Sequence, residues 1–189
     1  MTENVQRLTS TIDLVFNCIK RANQRGYIGE PVSQLEHALQ AGYFAQQMGA
    51  DKYVQLAAFL HDIGHLCADP MAPQMEQLGV LNHERIGRQY LAKAGFSEQV
   101  CELVGRHVDA KRYLAFKNCT YVKQLSKASE ATLAWQGGPM TEGEAAEFEK
   151  HPMFNEIICV RRADEAAKKI NLKVPGISFY QQLANQLVE

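Results

Sequence analysis

The sequence predicts an all-α fold, with a single domain over residues 1–189. Apolar residues recur at three- and four-residue spacing, which is the period of an amphipathic helix. Residues that start and stop helices divide the chain into segments of helical length. No segment alternates apolar and polar residues in the way that is typical of a strand. A chain of 189 residues also has the usual size of one domain with its own core.

The first two predicted helices are separated by a glycine-rich loop. Helix 1 should end near Arg25, before Gly26, and its apolar face comprises Val5, Leu8, Ile12, Val15 and Ile19. Two glycines and a proline predict a loop over residues 26–33. Ser33 then serves as the predicted N-cap of a helix that ends before Gly49.

The central part of the chain holds two further helices and a long connection. Asp51 is the predicted N-cap of an apolar helix that is interrupted at Gly64. Residues 66–80 contain two prolines and two methionines, and they predict a long connection. Asn82 should open a helix that continues through Ala94.

The C-terminal half is also predicted to be helical. A helix should begin after Ser97, and a further helical stretch should cover about residues 121–135. The T-x-x-E pattern at residues 141–144 is that of a capping box. A helix over about 152–172 and a last one over about 178–187 complete the prediction.

Composition restricts the class of partner. The net charge is −1, so no global basic field would attract nucleic acid. No apolar run approaches the roughly 20 residues that cross a bilayer, and the N-terminus lacks a signal-peptide pattern. The cysteines are odd in number and scattered, which is typical of reduced thiols: Cys18, Cys67, Cys101, Cys119 and Cys159. We expect a cytoplasmic protein without nucleic-acid or membrane partners.

The segment AAFLHDIGH, residues 57–65, carries the strongest chemical signal. Adjacent helical side chains diverge by about 100°, so His61 and Asp62 serve one site only if that site is broad. Two neighbouring metal ions meet this condition, because the carboxylate can bridge them. His65 lies one turn after His61, on the same face. A lone helical histidine is more often an ordinary core or surface residue, and the dipeptide alone is weak evidence.

The H…HD…D pattern of His37, His61-Asp62 and Asp164 resembles that of the HD-domain superfamily. This resemblance implies helices that direct these side chains into a central pocket. Two further histidines lie between the HD pair and the last aspartate. The resulting set has enough ligands for two ions with open positions: His37, His61, Asp62, His83, His107 and Asp164. Imidazole and carboxylate ligands suit first-row metals such as iron, manganese or zinc.

Longer segments extend the resemblance over nearly the whole chain. They are YIGEPVSQLEH (27–37), LAAFLHDIGH (56–65), HERIG (83–87), GRHVDAKRYL (105–114), TLAWQGGPMTEGE (132–144) and LKVPG (172–176). These segments resemble the mixed-valent di-iron oxygenases that cleave the carbon–phosphorus bond of 2-amino-1-hydroxyethylphosphonate. A related enzyme acts on the N-trimethylated analogue and releases glycine betaine instead of glycine. The resemblance implies a non-heme Fe(II)/Fe(III) pair as cofactor, with an organophosphonate and O2 as substrates.

The resemblance also implies substrate-binding residues. The phosphonate group would contact His65, Lys111, Ser129, Thr132 and Gln136, with added charge from Arg161. Glu30 would pair with the substrate's amine, and Tyr27 would lie over it by cation–π attraction. A solvated surface lysine, a polar helix face and an exposed turn carboxylate are the ordinary alternatives for these positions.

Two questions stay open at this point. Ala163 is small where a bulky aromatic is expected in the enzymes for primary amines, and this would enlarge the pocket toward a trimethylammonium group. One position does not decide between the two substrates. An HD-domain phosphohydrolase acting on a nucleotide or phosphate ester would use the same ligands, with metal-bound water as nucleophile. A non-enzymatic sensor with a degenerate site would lack ligands, whereas all six positions are filled here.

Overall fold

The computed structural model of the chain describes residues 2–22, 26–27 and 29–187. Within them lie the helices α1 Thr2–Arg21, α2 Gln34–Gln47, α3 Lys52–Leu60, α4 Gly64–Cys67, α5 His83–Lys93, α6 Glu98–Lys117, α7 Cys119–Gln124, α8 Lys127–Trp135, α9 Glu142–Phe148, α10 Phe154–Ala166 and α11 Ile177–Leu187. In these ranges β-structure is limited to two isolated bridges, Gly26–Ser33 and Gln74–Val80. The all-α prediction is confirmed.

Side-chain caps fix several helix starts where the sequence predicted them. The Ser33 hydroxyl accepts from the amide of Glu36 at 3.1 Å, and the Glu36 carboxylate accepts from the amide of Ser33 at 2.7 Å. This reciprocal pair is a capping box, and Thr141 forms the same arrangement at the start of α9. Asp51 caps α3 by accepting from the amide of Val54 at 2.9 Å. Each cap satisfies backbone donors that the first helical turn leaves without partners.

Two predicted boundaries differ from the structure. The helix predicted over 121–135 is two helices, because Leu125 is extended and Ser126 caps α8 through the amide of Ser129. Helix α10 ends at Ala166, well before residue 172. Helix α1 ends at Arg21, and its predicted end near residue 25 lies outside the described residues. Asn82 precedes α5 as predicted, but it adopts a left-handed conformation and its side chain does not cap the helix.

The core lies where α2, α3, α6 and α10 pack against one another, with α5 against α6. Phe16, Phe59 and Tyr180 form a stacked column between α1, α3 and α11, with ring centroids 5.6 and 4.3 Å apart. Gly42 permits this packing, because a Cβ atom there would overlap the Tyr180 ring. No helix in the described part of the chain is long and apolar enough to span a membrane.

Candidate metal centre

Polar side chains are buried at the centre of this bundle. His37 comes from α2, His61 from the end of α3, His83 from the first residue of α5 and His107 from the middle of α6; Asp164 comes from α10. These five side chains are between 1% and 4% exposed. Buried histidine and aspartate need partners to offset their lost hydration. Five such side chains at one place therefore indicate a binding site.

The six predicted ligands form two groups of three. In the first group, His37 Nε2 lies 3.2 Å from His61 Nε2 and 3.3 Å from Asp164 Oδ1. In the second group, His83 Nε2 lies 3.1 Å from His107 Nε2 and 3.3 Å from Asp62 Oδ1. In each group the three donor atoms lie within 4.8 Å of one another, so each group could hold one metal ion.

Asp62 connects the two groups. Its Oδ2 atom lies 3.4 Å from His61 Nε2 and 3.8 Å from His37 Nε2. Its Oδ1 atom faces the second group, at 3.3 Å from His83 Nε2 and 3.7 Å from His107 Nε2. The two carboxylate oxygens therefore point to different groups, which is the arrangement of a bridging ligand. When Asp62 is counted in both groups, the first group has four protein ligands and the second has three.

The histidine rings are oriented for ligation by their second nitrogen. Nδ1 of His37 donates to the carbonyl of Ala167 at 2.8 Å, and Nδ1 of His61 donates to the carbonyl of Ala58 at 2.7 Å. His107 uses the carbonyl of Val104 in the same way, at 2.8 Å. Such bonds fix the tautomer and leave a lone pair on Nε2.

The donor set fits a cation. In neutral rings the Nε2 lone pairs of His37 and His61 would face each other at 3.2 Å, a repulsive contact that a shared cation converts into two bonds. Nδ1 of His83 is buried and has no hydrogen-bond partner among the described residues, with Glu84 Oε2 3.7 Å away. A metal drawing on His83 Nε2 would make that Nδ1 proton a stronger donor toward the carboxylate.

The surroundings of Asp164 and His107 favour the ionisation states that ligation requires. Burial opposes ionisation of Asp164, but the neighbouring Arg161 and His61 hold the pKa of this carboxyl well below its usual range. Burial and the adjacent His83 keep the pKa of His107 well below its ordinary value. Metal ligands must be ionised carboxylates and neutral imidazoles, and these two residues are in those forms at neutral pH.

Two glycines bring the HD segment and His83 together. A Cβ atom on Gly64 would overlap the backbone carbonyl of His83. Gly87, one turn after His83, packs against the same segment, since its Cβ would lie 3.1 Å from Ile63 Cγ2. The glycines in HDIGH and HERIG therefore allow α4 and α5 to touch along their backbones, and this contact directs His83 into the site.

A cavity of about 60 Å³ borders the second group and is lined by the predicted substrate residues. Lys111 lies on its wall, where its ammonium donates to Thr132 Oγ1 at 2.7 Å and to Gln136 Oε1 at 2.9 Å. Burial, together with the charge of Arg161, lowers the pKa of Lys111 to about 7. The predicted grouping of these side chains is therefore present, although their roles stay predictions.

Arg161 adds a second cation to the cavity wall. It forms an ion pair with Asp164, and its Nε donates to Glu165 Oε1 at 2.9 Å and to Tyr121 Oη at 3.0 Å. Its Nη2 atom is buried and has no hydrogen-bond partner in the described ranges. A buried guanidinium nitrogen without a partner is costly, and an anion in the cavity would satisfy it.

His65 is held as a donor toward the cavity. Its ring stacks on His83, with centroids 4.0 Å apart, and its Nδ1 accepts from the amide of Val80 at 3.0 Å. Burial and the neighbouring His83 lower the pKa of His65 to about 3. A neutral ring that accepts at Nδ1 carries its proton on Nε2, so His65 offers one N–H to a ligand.

The two residues predicted to hold a substrate amine are engaged within the protein. Tyr27 stacks on His37, with centroids 3.9 Å apart, so one face of its ring is covered. Glu30 accepts from the ammonium of Lys168 at 2.7 Å. Sequence reasoning missed Lys168, although it lies four residues after Asp164 and follows the same helix.

Ala163 does not widen the cavity. Its side chain is fully buried in the main apolar cluster, and it is not among the described residues that line the cavity. Since α10 presents Asp164 and Arg161 to the site, the intervening Ala163 faces the core instead. The small residue therefore fits helix packing and carries no information about the size of the substrate.

Comparison with known proteins identifies the family. The HD-domain family model matches residues 35–168. The chain is 38% identical over 185 residues to the hydroxymethylphosphonate dioxygenase of Gimesia maris, covering 97% of this chain and 89% of the relative. It is 35% identical over 178 residues to the [1-hydroxy-2-(trimethylamino)ethyl]phosphonate dioxygenase (glycine-betaine-forming) of Leisingera caerulea, covering 94% and 90%. An uncharacterized protein of Acanthamoeba polyphaga mimivirus is 36% identical over 181 residues, covering 95% and 83%. The chain belongs to the HD-domain family, in the group that contains these phosphonate dioxygenases.

Proposed function

We propose that this protein is a di-iron dioxygenase that cleaves the carbon–phosphorus bond of a 1-hydroxyalkylphosphonate. The observation that carries the proposal is the bridging position of Asp62 between two groups of ligands, beside a cavity with two buried cations. The phosphonate dioxygenases among its relatives support the reaction class.

The six residues would hold two iron ions, one in each group. His37, His61 and Asp164 would hold the first and His83 and His107 the second, with Asp62 bridging. Iron supplies the one-electron chemistry that reactions of dioxygen require. The second group has fewer protein donors and borders the cavity, so it leaves open positions where a substrate can bind.

The cavity residues would bind the phosphonate and exclude water from it. The Lys111 ammonium and Arg161 Nη2 would pair with its oxygens, and His65 would donate its Nε2 proton. Thr132 and Gln136 hold Lys111 in position through its two hydrogen bonds. Charge-assisted bonds from fixed donors orient the anion, so that C1 faces the metal centre.

The overall reaction balances with O2 as the only oxidant. R–CH(OH)–PO3²⁻ and O2 give R–COO⁻, HPO4²⁻ and one proton. The C–P and C1–H bonds break, one oxygen atom enters the carboxylate and the other enters phosphate. C1 and phosphorus together lose the four electrons that O2 accepts, so no external reductant is consumed.

Phosphate release and oxygen uptake test the proposal together. The iron-loaded protein is supplied with hydroxymethylphosphonate, 2-amino-1-hydroxyethylphosphonate or the trimethylammonio analogue, with and without O2. We expect at least one of them to release phosphate in a 1:1 ratio with O2 consumed, and Asp62→Ala to abolish release. Equal phosphate release without O2, from these compounds or from phosphate esters, would replace the dioxygenase with an HD-domain phosphohydrolase.

A further inference from the structure

Glu30, which lines the cavity, forms an ion pair that the chemistry above does not use. Lys168 Nζ lies 2.7 Å from Glu30 Oε1, and the two side chains are 16% and 8% exposed. The same ammonium donates to Ser126 Oγ at 2.9 Å and lies 3.4 Å from Ser129 Oγ. Lys168 therefore has its donors directed at three oxygen atoms, and Glu30 is neutralised from within the protein.

Lys168 joins three parts of the chain around the cavity. It follows α10, four residues after Asp164; Glu30 belongs to the loop before α2; Ser126 is the N-cap of α8. The loop is also packed tightly against α8, because a Cβ on Gly29 would lie 3.1 Å from Ala128 Cβ. Glu30 and Ser129 line the cavity, and Lys168 lies within reach of both side chains.

The charges around Glu30 limit the charge that a substrate group can carry beside it. Glu30 is the cavity carboxylate outside the two ligand groups. A substrate ammonium would need this carboxylate as its partner, but Lys168 already occupies it. The incoming cation would then lie beside a second ammonium, or would have to displace it, and like charges placed together at a binding site oppose association.

We propose that Lys168 takes the place of a substrate's ammonium group, so that this protein selects 1-hydroxyalkylphosphonates without a cationic nitrogen. The smallest member of this class is hydroxymethylphosphonate, and a short uncharged alkyl substituent at C1 also fits the class. The inference rests on the proposed function for the reaction at C1. Selection occurs by exclusion: the phosphonate contacts serve every substrate, and the internal cation rejects those with an ammonium group.

Binding of two unreactive probes tests this selection without turnover. Propylphosphonate and 2-aminoethylphosphonate have the same number of heavy atoms and differ by a methyl group in place of an ammonium group. By titration calorimetry with the metal-loaded protein, we expect propylphosphonate to bind at least about tenfold more tightly. Lys168→Met should remove this preference or reverse it, because Glu30 then lacks a partner. Lys169→Met is the matched control, since it removes the same charge from the exposed neighbouring residue and should leave the preference unchanged.

A double substitution shows whether Glu30 is the group concerned. The gain in 2-aminoethylphosphonate affinity in Lys168→Met should disappear in Glu30→Gln/Lys168→Met. Lys168→Gln, which keeps a polar side chain near Ser126, gives the same comparison should the methionine variant fail to fold. Tighter binding of 2-aminoethylphosphonate by the unmodified protein, or an equal preference in the Lys168 and Lys169 variants, would overturn the inference.

Turnover separates this inference from the proposed function. Phosphate release from the trimethylammonio or amino substrate in preference to hydroxymethylphosphonate would support the dioxygenase reaction and reject the role of Lys168. A protein that prefers propylphosphonate but releases no phosphate from any 1-hydroxyphosphonate would reject the reaction and retain the charge selection. The two hypotheses therefore fail on different measurements.

Discussion

Gly64 lies against the backbone carbonyl of His83 so closely that no side chain fits between them. This contact joins the segment that supplies His61 and Asp62 to the helix that supplies His83. It therefore fixes the position of His83 relative to the HD segment through a backbone contact.

Gly64→Ala should push α5 away from the site and reduce the metal content to about one ion per chain. We also expect a loss of folding free energy of about 1–3 kcal/mol, since the inserted methyl group meets backbone that cannot move aside. Metal analysis and thermal unfolding measure the two effects. Gly143→Ala in α9 is the control, because its Cβ would contact nothing within 4 Å and should stabilise the helix by up to about 1 kcal/mol. Full metal content in Gly64→Ala would show that the glycine contact does not position His83.

The two aspartates should differ in their effect on metal content. Asp62 faces both ligand groups, so Asp62→Ala should remove most of both ions; Asp164 belongs to the first group, so Asp164→Ala should leave about one ion per chain. Metal analysis after dialysis measures both. Asp69→Ala, at an exposed position, should bind the full amount. Equal losses in the two variants would contradict the bridging role of Asp62.

Anion binding should depend on the protonation of Lys111, whose pKa is lowered to about 7. Above that pH the amine becomes neutral, so affinity for methylphosphonate should fall by up to about tenfold per pH unit relative to Lys111→Arg. The guanidinium of Lys111→Arg stays charged over this range. The pH dependence of binding by this variant therefore reports only the ionisation of methylphosphonate. Titration calorimetry from pH 6 to pH 9 gives both profiles. Parallel profiles would mean that the Lys111 charge does not contribute to binding.

Ala163→Trp should act on folding rather than on substrate preference. Ala163 is fully buried in the main apolar cluster, where a larger side chain costs typically about 1–3 kcal/mol. Arg162→Trp, at the exposed adjacent position, should change the folding free energy by no more than about 0.5 kcal/mol. Denaturant unfolding measures both. A stable Ala163→Trp protein with an altered ratio of amino to trimethylammonio turnover would show that residue 163 affects substrate preference.

Local chemistry determined much of the fold. Ser33, Asp51 and Thr141 begin helices at the predicted residues, because a cap needs only a side-chain oxygen and the amides of the next turn. The break at Leu125 was missed, since Ser126 is an equally good cap but lies inside a sequence that favours a helix throughout. The early end of α10 was missed for a different reason: the Ala167 carbonyl accepts from His37, 130 residues earlier in the chain.

The sequence by itself determined the all-α class, most helix starts and the six candidate ligands, because these follow from spacing, caps and a motif pattern. Only the tertiary structure decided which oxygen of Asp62 faces which histidines, that Ala163 packs in the core, and that Lys168 neutralises Glu30. These relationships join residues from different helices and loops. Their geometry depends on how the helices pack, and helical spacing within one segment does not specify that packing.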